Sequence, residues 1–270
     1  MSVSVRRAPA PGGSVEGRPT VLVIAGSDSS GGAGLARDLR TLFDLGARGL
    51  CAVTAVTAQS DRRITSVHHV PPALVRAQIE AAFETRAPHA IKIGMLGTRA
   101  TVEAVAEALS AHATIPIVLD PVLAATSGGT LLDADGREAL KITLLPRAAL
   151  VTPNAPEAGV LLGEAPATDE RALAAQAQRL LARGARAVLL KGGHAVGDEA
   201  VDWLALPGHA VERLAAPRLE AAQRGSGCAL ASAIAVQLGS GASLVEACRR
   251  AKAYVLKQLR SVAAEHVREH

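Results

Sequence analysis

The pentapeptide Arg224-Gly225-Ser226-Gly227-Cys228 stands directly before residues 229–238, which are small, mostly apolar and free of proline. Glycine adopts backbone angles that a β-carbon forbids, so the two glycines allow several N–H groups to point into one concavity. Leu230, Ile234 and Leu238 then repeat at helical spacing, and the positive end of a helix dipole favours an anion at the same place. We therefore predict an anion-binding loop at a helix N-terminus.

Cys228 falls in the first turn of this predicted helix. A thiol pKa is lowered at a helix N-terminus because the thiolate faces the positive end of the dipole. A thiolate beside a phosphate site is a candidate general base. The same pentapeptide also suits a glycine-rich turn with a buried cysteine at a helix start, and short glycine motifs match many sequences by chance. On this segment alone both interpretations stay open.

Upstream of this loop the chain alternates between short apolar runs and amphipathic segments. The predicted strands are 21–25, 51–58, 64–70, 90–93, 115–120, 149–152 and 187–190, followed by a hairpin of 201–206 with 210–214. The predicted helices are 35–45, 71–85, 98–111, 133–145, one starting at 153, 168–183 with Thr168 as its N-cap, and one or two helices over 244–264. Repeated strand, loop and helix units predict an α/β fold, a mostly parallel central sheet with helices on both faces.

Composition sets limits on size and partners. The 270 residues, 49% of them hydrophobic, suffice for one large domain, which we assign to 20–270, with 1–19 as a disordered tail rich in proline and glycine. Aromatic residues make up only 1%, so the stacking platforms of single-stranded nucleic-acid binding are missing. The net charge of +4 comes largely from scattered arginines, which we interpret as solvated surface, and no nucleic-acid partner is expected.

Cysteine usage and hydropathy indicate a cytoplasmic protein. Cys51, Cys228 and Cys248 are widely spaced and odd in number, which predicts neither a disulfide framework nor a metal site. No apolar run reaches the roughly 18 residues of a membrane span, and the N-terminal residues lack the apolar stretch of an export signal. No membrane partner is therefore expected.

Chemically active side chains fall where the predicted strands end. In an open parallel sheet, ligands bind outside the carboxyl ends of the strands. Each of these residues has an ordinary structural explanation as a cap, turn, core or surface residue. Together, two carboxylates, a lysine and an anion loop form the set that Mg²⁺-assisted phosphoryl transfer requires. The residues are Asp38, Gln59, Met95, Asp120, Asn154, Glu157, Lys191 and the 225–228 loop.

Seven ordered motifs resemble the bacterial hydroxymethylpyrimidine and phosphomethylpyrimidine kinases of thiamine biosynthesis, a family of the ribokinase-like superfamily. The resemblance extends over roughly residues 20–260, and seven motifs in order are far more specific than any one of them. They are AGSDSSGGAG at 25–34, TAVTAQ at 54–59, KIGML at 92–96, DPV at 120–122, TPNAPE at 152–157, KGGH at 191–194 and GSGC at 225–228.

The resemblance implies a role for each matching position. The pyrimidine pocket would be formed by Gly26, Asp38, Gln59, Met95 and Val122. Lys191 would reach the ATP phosphates, Asn154 with Glu157 would organise Mg²⁺ and phosphate, and Asp120 would be the second metal carboxylate. Cys228 would be the base, and Gly225, Ser226 and Gly227 would hold the transferred phosphoryl group. ATP and Mg²⁺ are the implied cofactors, and a homodimer is the implied assembly.

The implied reaction has two steps: ATP phosphorylates the hydroxymethyl oxygen, and a second ATP extends the monophosphate to the diphosphate. Four positions depart from the family pattern. Arg224 replaces His, Ser226 and Ala229 each replace Thr, and Thr126 stands where a lysine is usual. Arg224 adds a cation that could help to hold phosphate. Two other functions stay open, a pyridoxal kinase of the same superfamily and a catalytically silent pyrimidine-binding protein.

Overall fold

The computed structural model describes residues 17–125, 129–192, 198–219 and 224–268, so the predicted tail lies almost wholly outside the described residues. The strands are β1 (Thr20–Asp28), β2 (Arg48–Gln59), β3 (Ile64–His69), β4 (Ala90–Ile93), β5 (Ile117–Leu119), β6 (Leu150–Val151), β7 (Val188–Lys191), β8 (Glu199–Ala205) and β9 (Glu212–Pro217). The α-helices are α1 (Gly34–Asp44), α2 (Pro72–Thr85), α3 (Arg99–Ala108), α4 (Ala134–Thr143), α5 (Ala155–Leu162), α6 (Glu170–Ala182), α7 (Ser226–Gly239) and α8 (Leu244–Arg268).

All nine strands join one sheet in the order β3-β2-β1-β4-β5-β6-β7-β8-β9. The strands from β2 to β7 in this order are parallel, whereas the pairs β2–β3, β7–β8 and β8–β9 are antiparallel. The predicted α/β class, the extra strand at 64–70 and the hairpin before the anion loop are confirmed.

Helices cover both faces of the sheet, and β1 shows why. Leu22 and Ile24 point to a core shared with α2, α3, α4, α5 and α6, whereas Val21, Val23 and Ala25 point to a second core shared with α1, α7 and α8. All five side chains are at most 1% exposed. An uninterrupted apolar run therefore marks a strand that is buried on both faces.

The predicted element boundaries hold to within a few residues, with one wrong cap. Asp169, not Thr168, is the N-cap of α6, because its carboxylate accepts a hydrogen bond from the backbone N–H of Ala172 at 2.8 Å. Thr98 and Asp133 cap α3 and α4 in the same way. The C-terminal segment is a single helix, α8.

Parallel pairing brings the carboxyl ends of β1, β4, β5, β6 and β7 to one edge, which we call the mouth of the sheet. Gly94 and Met95 follow β4, Asp120 follows β5, Asn154 comes shortly after β6, and Lys191 ends β7. Among the described residues, no helix combines the length and the apolar character needed to cross a lipid bilayer.

Candidate active site

The anion loop packs tightly against the loop that follows β1. Gly225 is the N-cap of α7 with φ of 72°, a left-handed conformation that favours glycine. A β-carbon at this position would collide with the carbonyl oxygen of Gly32 and would approach the Cα of Ala33 to 3.1 Å. The N–H groups of the first turn of a helix have no partner within the helix, so the start of α7 is suited to an anion.

Cys228 lies in this first turn, but its environment is not the one that the sequence predicted. Burial raises the pKa of the thiol to about 11, against the lowering effect of the Lys92 ammonium and of a hydrogen bond from the backbone of Gly34. The predicted lowering of this pKa is therefore wrong, because the loss of hydration outweighs both lowering effects. The sulfur is mostly protonated at neutral pH.

Lys191 links the predicted metal carboxylates to the anion loop. Its Nζ lies 2.8 Å from an Asp120 oxygen and 4.0 Å from a Glu157 oxygen. The same Nζ would lie 3.0 Å from a β-carbon placed on Gly227, so the ammonium lies against the loop backbone. The structure thus brings together Asp120, Glu157, Lys191 and Gly227 at the mouth of the sheet.

Burial and charge act in opposite directions on this cluster. Burial raises the pKa of Glu157 to about 7, although the Lys191 ammonium opposes the shift. Burial also acts to raise the pKa of Asp120, but the Lys191 and Lys92 ammonium groups outweigh it and lower that pKa. Asp120 accepts a further hydrogen bond from the Thr152 hydroxyl at 3.1 Å.

Asn154 and Glu157 form a capping box at the start of α5. The Asn154 side-chain oxygen accepts a hydrogen bond from the backbone N–H of Glu157, and the Glu157 carboxylate accepts one from the backbone N–H of Asn154, both at 2.8 Å. Both side chains therefore have a structural role, which was one of the sequence-based interpretations. This box fixes the Glu157 carboxylate beside Lys191.

The carboxylates suit a magnesium ion that is shared with a nucleotide. Within the described ranges, no group of three or more His, Cys, Asp or Glu side chains is placed to hold a metal. Mg²⁺ is commonly bound by only one or two protein carboxylates, and substrate phosphates and water complete its shell. Asp120 and Glu157 fit that pattern.

Asp38 and Lys92 form an ion pair that the sequence analysis did not anticipate. Lys92 Nζ lies 2.7 Å from one Asp38 oxygen, and both side chains have 0% exposure. The Ser232 hydroxyl donates to the other Asp38 oxygen at 2.8 Å. Both Asp38 oxygens thus have protein partners, and a contact of Asp38 with the pyrimidine stays a prediction.

The other predicted pyrimidine residues lie within β1 or at the ends of β2, β4 and β5. Gly26 packs on Met95, whose Sδ would lie 2.8 Å from a β-carbon at position 26. Gln59 is half-buried at the end of β2, where its backbone exchanges two hydrogen bonds with the Ser29 hydroxyl at 2.7 and 2.8 Å. Val122, also half-buried, lies two residues beyond Asp120.

Arg224 has partners other than the predicted phosphate. Its guanidinium donates to a carboxylate oxygen of Asp28 at 3.1 Å, to one of Asp61 at 2.9 Å and to the Ser30 hydroxyl at 3.1 Å. These contacts tie the anion loop to the loop after β1 and to the turn after β2. Thr126, Gly193 and His194 lie outside the described residues.

A nine-stranded α/β sheet whose mouth combines an anion loop, a lysine and two carboxylates defines a kinase of the ribokinase-like class. The family model described as phosphomethylpyrimidine kinase matches residues 28–269, which is most of the chain. The chain belongs to this family.

Individual relatives agree with this assignment. The chain is 46% identical over 235 residues to the hydroxymethylpyrimidine/phosphomethylpyrimidine kinase of Rhizobium meliloti (strain 1021), covering 87% of this chain and 88% of the relative. Among solved structures, the phosphomethylpyrimidine kinase of Clostridium difficile 630 is similar with a TM-score of 0.78 at 34% identity, covering 90% of this chain and all of that one. The pyridoxal kinase of Staphylococcus aureus in complex with pyridoxal has a TM-score of 0.82 at 32% identity, covering 90% and 88%.

Proposed function

We propose that this protein uses ATP to phosphorylate 4-amino-5-hydroxymethyl-2-methylpyrimidine and then extends the monophosphate to the diphosphate, in the biosynthesis of thiamine diphosphate. One observation carries the proposal: Lys191 Nζ lies simultaneously against Asp120, Glu157 and the backbone of Gly227. This contact unites a cation for phosphate, two carboxylates for a metal and an anion loop in one place. Membership of the family supports the choice of substrate.

Each part of the site has a distinct task in this reaction. Asp120 and Glu157 would hold Mg²⁺, which would neutralise negative charge on the phosphates. The Lys191 ammonium binds the phosphates of ATP, and the N–H groups at the start of α7 hold the transferred phosphoryl group. Gln59 supplies polar contacts to the pyrimidine, against the apolar surface of Met95.

Cys228 is the proposed base. In its thiolate form, the sulfur takes the proton of the substrate hydroxyl while that oxygen forms the new bond to phosphorus and the bond to ADP breaks. Because the thiol pKa of about 11 leaves little thiolate at neutral pH, we expect kcat to rise as pH increases above 7.

Phosphorus NMR tests the proposal directly. Purified protein with excess Mg·ATP and the hydroxymethylpyrimidine should give a monophosphate that later decreases as a diphosphate accumulates. Accumulation of the monophosphate alone would remove the second step. Binding of the pyrimidine without ADP formation would instead favour a silent binding protein.

A pyridoxal kinase is the second candidate, because the S. aureus pyridoxal kinase structure has a TM-score of 0.82 to this chain. Both substrates are heteroaromatic rings that carry a hydroxymethyl group, so the fold alone does not separate them. The initial rate of ADP release with each substrate distinguishes the two activities. We expect a far higher kcat/KM with the hydroxymethylpyrimidine, and the opposite ranking would identify a pyridoxal kinase.

A homodimer in the cytoplasm completes the proposal. The dimer is suggested by the family resemblance, and the location by the cysteine pattern of the sequence. Light scattering coupled to gel filtration should give twice the chain mass of 27.5 kDa. A mass equal to one chain would remove the dimer from the proposal.

A further inference from the structure

Lys92 is a fully buried lysine that has no role in the reaction proposed above. It lies in β4 between the apolar residues Ile91 and Ile93, and its side chain has 0% exposure. Removing an ammonium group from water costs several kcal/mol even after the protein relaxes. Two apolar side chains of similar volume would fill the space of Lys92 and Asp38 without that cost. We therefore expect the buried ion pair to have a function.

The helix α7 connects this ion pair to the base. Ser232 lies four residues after Cys228, so the two side chains share one face of the helix. The Ser232 hydroxyl donates to Asp38, and the other oxygen of Asp38 lies 2.7 Å from Lys92 Nζ. The buried pair therefore lies one helical turn beneath the sulfur.

The Lys92 ammonium also points to the mouth of the sheet. A β-carbon on Gly94 would lie 2.7 Å from Lys92 Nζ, so the side chain runs beside the backbone just after β4. Only a glycine leaves this space free. The positive charge of Lys92 therefore lies near the carboxyl end of β4, where the reacting groups of the proposed site lie.

Charged groups from four elements surround the sulfur of Cys228. Asp38 on α1 and Asp120 after β5 disfavour a negative charge there, whereas Lys92 on β4 and Lys191 on β7 favour it. Lys191 is already engaged by Asp120 and Glu157, and it is the cation assigned to ATP. Lys92 is therefore the cation that stays beneath the sulfur whether or not a nucleotide binds.

We propose that Lys92 is a positioning residue: its ammonium, anchored by Asp38, stabilises the negative charge of the Cys228 thiolate. This inference rests on the proposed function, because it gives the base of that reaction its counter-ion. Asp38 sets the strength of the effect, because the carboxylate shares the same ammonium. The net effect of the ion pair on the Cys228 thiolate is therefore the stabilisation by the Lys92 ammonium minus the destabilisation by the Asp38 carboxylate.

The alkylation rate of Cys228 by iodoacetamide tests this inference without any kinase assay. The background is Cys51→Ser, because Cys51 is exposed whereas Cys248 is buried, and mass spectrometry identifies the modified peptide. Each unit of thiol pKa changes the thiolate fraction about tenfold and the nucleophilicity about threefold in the opposite direction, which leaves a rate change of about threefold. Rates are compared at pH 8.5.

The first comparison uses the doubly neutral variant Asp38→Asn, Lys92→Met, which contains no unpaired buried charge. We expect its Cys228 to react at least about threefold more slowly than in the background protein, since the cation affects the sulfur more strongly than the anion does. A smaller decrease overturns the proposal. The single variant Asp38→Asn, where it folds, should react faster than the background, because it removes the anion that shares the Lys92 ammonium.

Lys252→Met is the matched control. Lys252 also forms a largely buried ion pair, with Asp202 at 2.6 Å, but on α8 and β8. Its loss should leave the Cys228 rate unchanged within twofold, and an equal slowing would show that the decrease does not depend on the position of the Lys92 charge, which overturns the proposal. If the rates behave as expected in a protein that does not phosphorylate the pyrimidine, the charge stabilisation stands and the proposed function fails.

Discussion

Lys92 and Lys191 make nearly the same ion pair in two different surroundings. Each ammonium lies against a glycine at the mouth of the sheet, and each has a carboxylate partner, at 2.7 Å for Lys92 and 2.8 Å for Lys191. The side chain of Lys92 is 0% exposed, whereas that of Lys191 is 15% exposed. A ligand can therefore exchange partners with Lys191 but not with Lys92.

The difference separates two uses of one chemical group. An accessible ion pair can open so that the cation binds phosphate and the carboxylates bind metal. A closed ion pair can only impose its field on neighbouring groups, and that field is strong because no water screens it. The proposed base, Cys228, lies between the two pairs, and the following predictions separate their contributions.

The largest effect should come from the residue between the pairs. Cys228→Ala removes the proposed base, so we expect kcat to fall by roughly 10²–10⁴-fold, with little change in pyrimidine affinity. Steady-state ADP release and calorimetric binding of the pyrimidine measure the two quantities. Cys51→Ala, at an exposed cysteine, is the control. If the kcat of Cys228→Ala stays within a few-fold of the parent value, Cys228 is not the base.

The second prediction compares the two lysines by the same substitution. Lys92→Met leaves the buried Asp38 carboxylate without its counter-ion and should cost about 3–5 kcal/mol of unfolding free energy. Lys191→Met should cost at most about half as much, because the Lys191 side chain is 15% exposed and its ion pair is less deeply buried than that of Lys92. Urea unfolding of the two variants gives the comparison. Equal losses would mean that exposure does not distinguish the pairs.

The sequence predicts the accessible pair better than the closed one. Lys191, Asp120 and Glu157 follow strands whose apolar runs are evident, and the parallel sheet brings such strand ends together. Lys92 and Asp38 are separated by 54 positions, and no periodicity connects them. A usable signal did exist, since a lysine inside a strand of a parallel sheet that helices are predicted to cover on both faces must have an anionic partner.

The acidity of Cys228 could not be predicted from its place in the sequence. A position in the first helical turn predicts that the helix dipole lowers the thiol pKa. It does not predict how much of the thiol's hydration is lost through packing. The structure shows that the loop after β1 encloses this turn, where Gly225 lies against Gly32. Tertiary packing therefore decides whether the pKa of Cys228 is raised or lowered. The sequence motif predicts only where the sulfur lies.

The third prediction concerns the accessible pair and pH. Burial raises the pKa of Glu157 from an ordinary 4.5 to about 7, so between these values the folded chain holds a proton that the unfolded chain releases. The stability contributed by this group is complete below pH 4.5 and is lost as pH rises towards 7. Glu157→Gln should flatten that part of the stability profile, measured by urea unfolding from pH 4.5 to 8. The exposed Glu84→Gln should leave the profile unchanged, and an unaltered slope in Glu157→Gln would contradict the shift.

The smallest effect should appear at the pyrimidine end, away from both ion pairs. Gln59 is half-buried, and its side-chain oxygen lies 3.3 Å from the Thr57 hydroxyl, whose single proton has a closer acceptor in the Ser27 carbonyl at 2.9 Å. The Gln59 amide therefore keeps hydrogen-bonding capacity for a ligand. Gln59→Leu should therefore weaken pyrimidine binding by about 1–3 kcal/mol, the cost of leaving a buried ligand group unpaired, and should leave the KM for ATP unchanged. Lys191→Met should do the reverse, because its ammonium is the proposed ligand of the ATP phosphates. Titration of each variant with each substrate separates the two ends of the site, and a Gln59→Leu protein with unaltered pyrimidine affinity would place Gln59 outside the pocket.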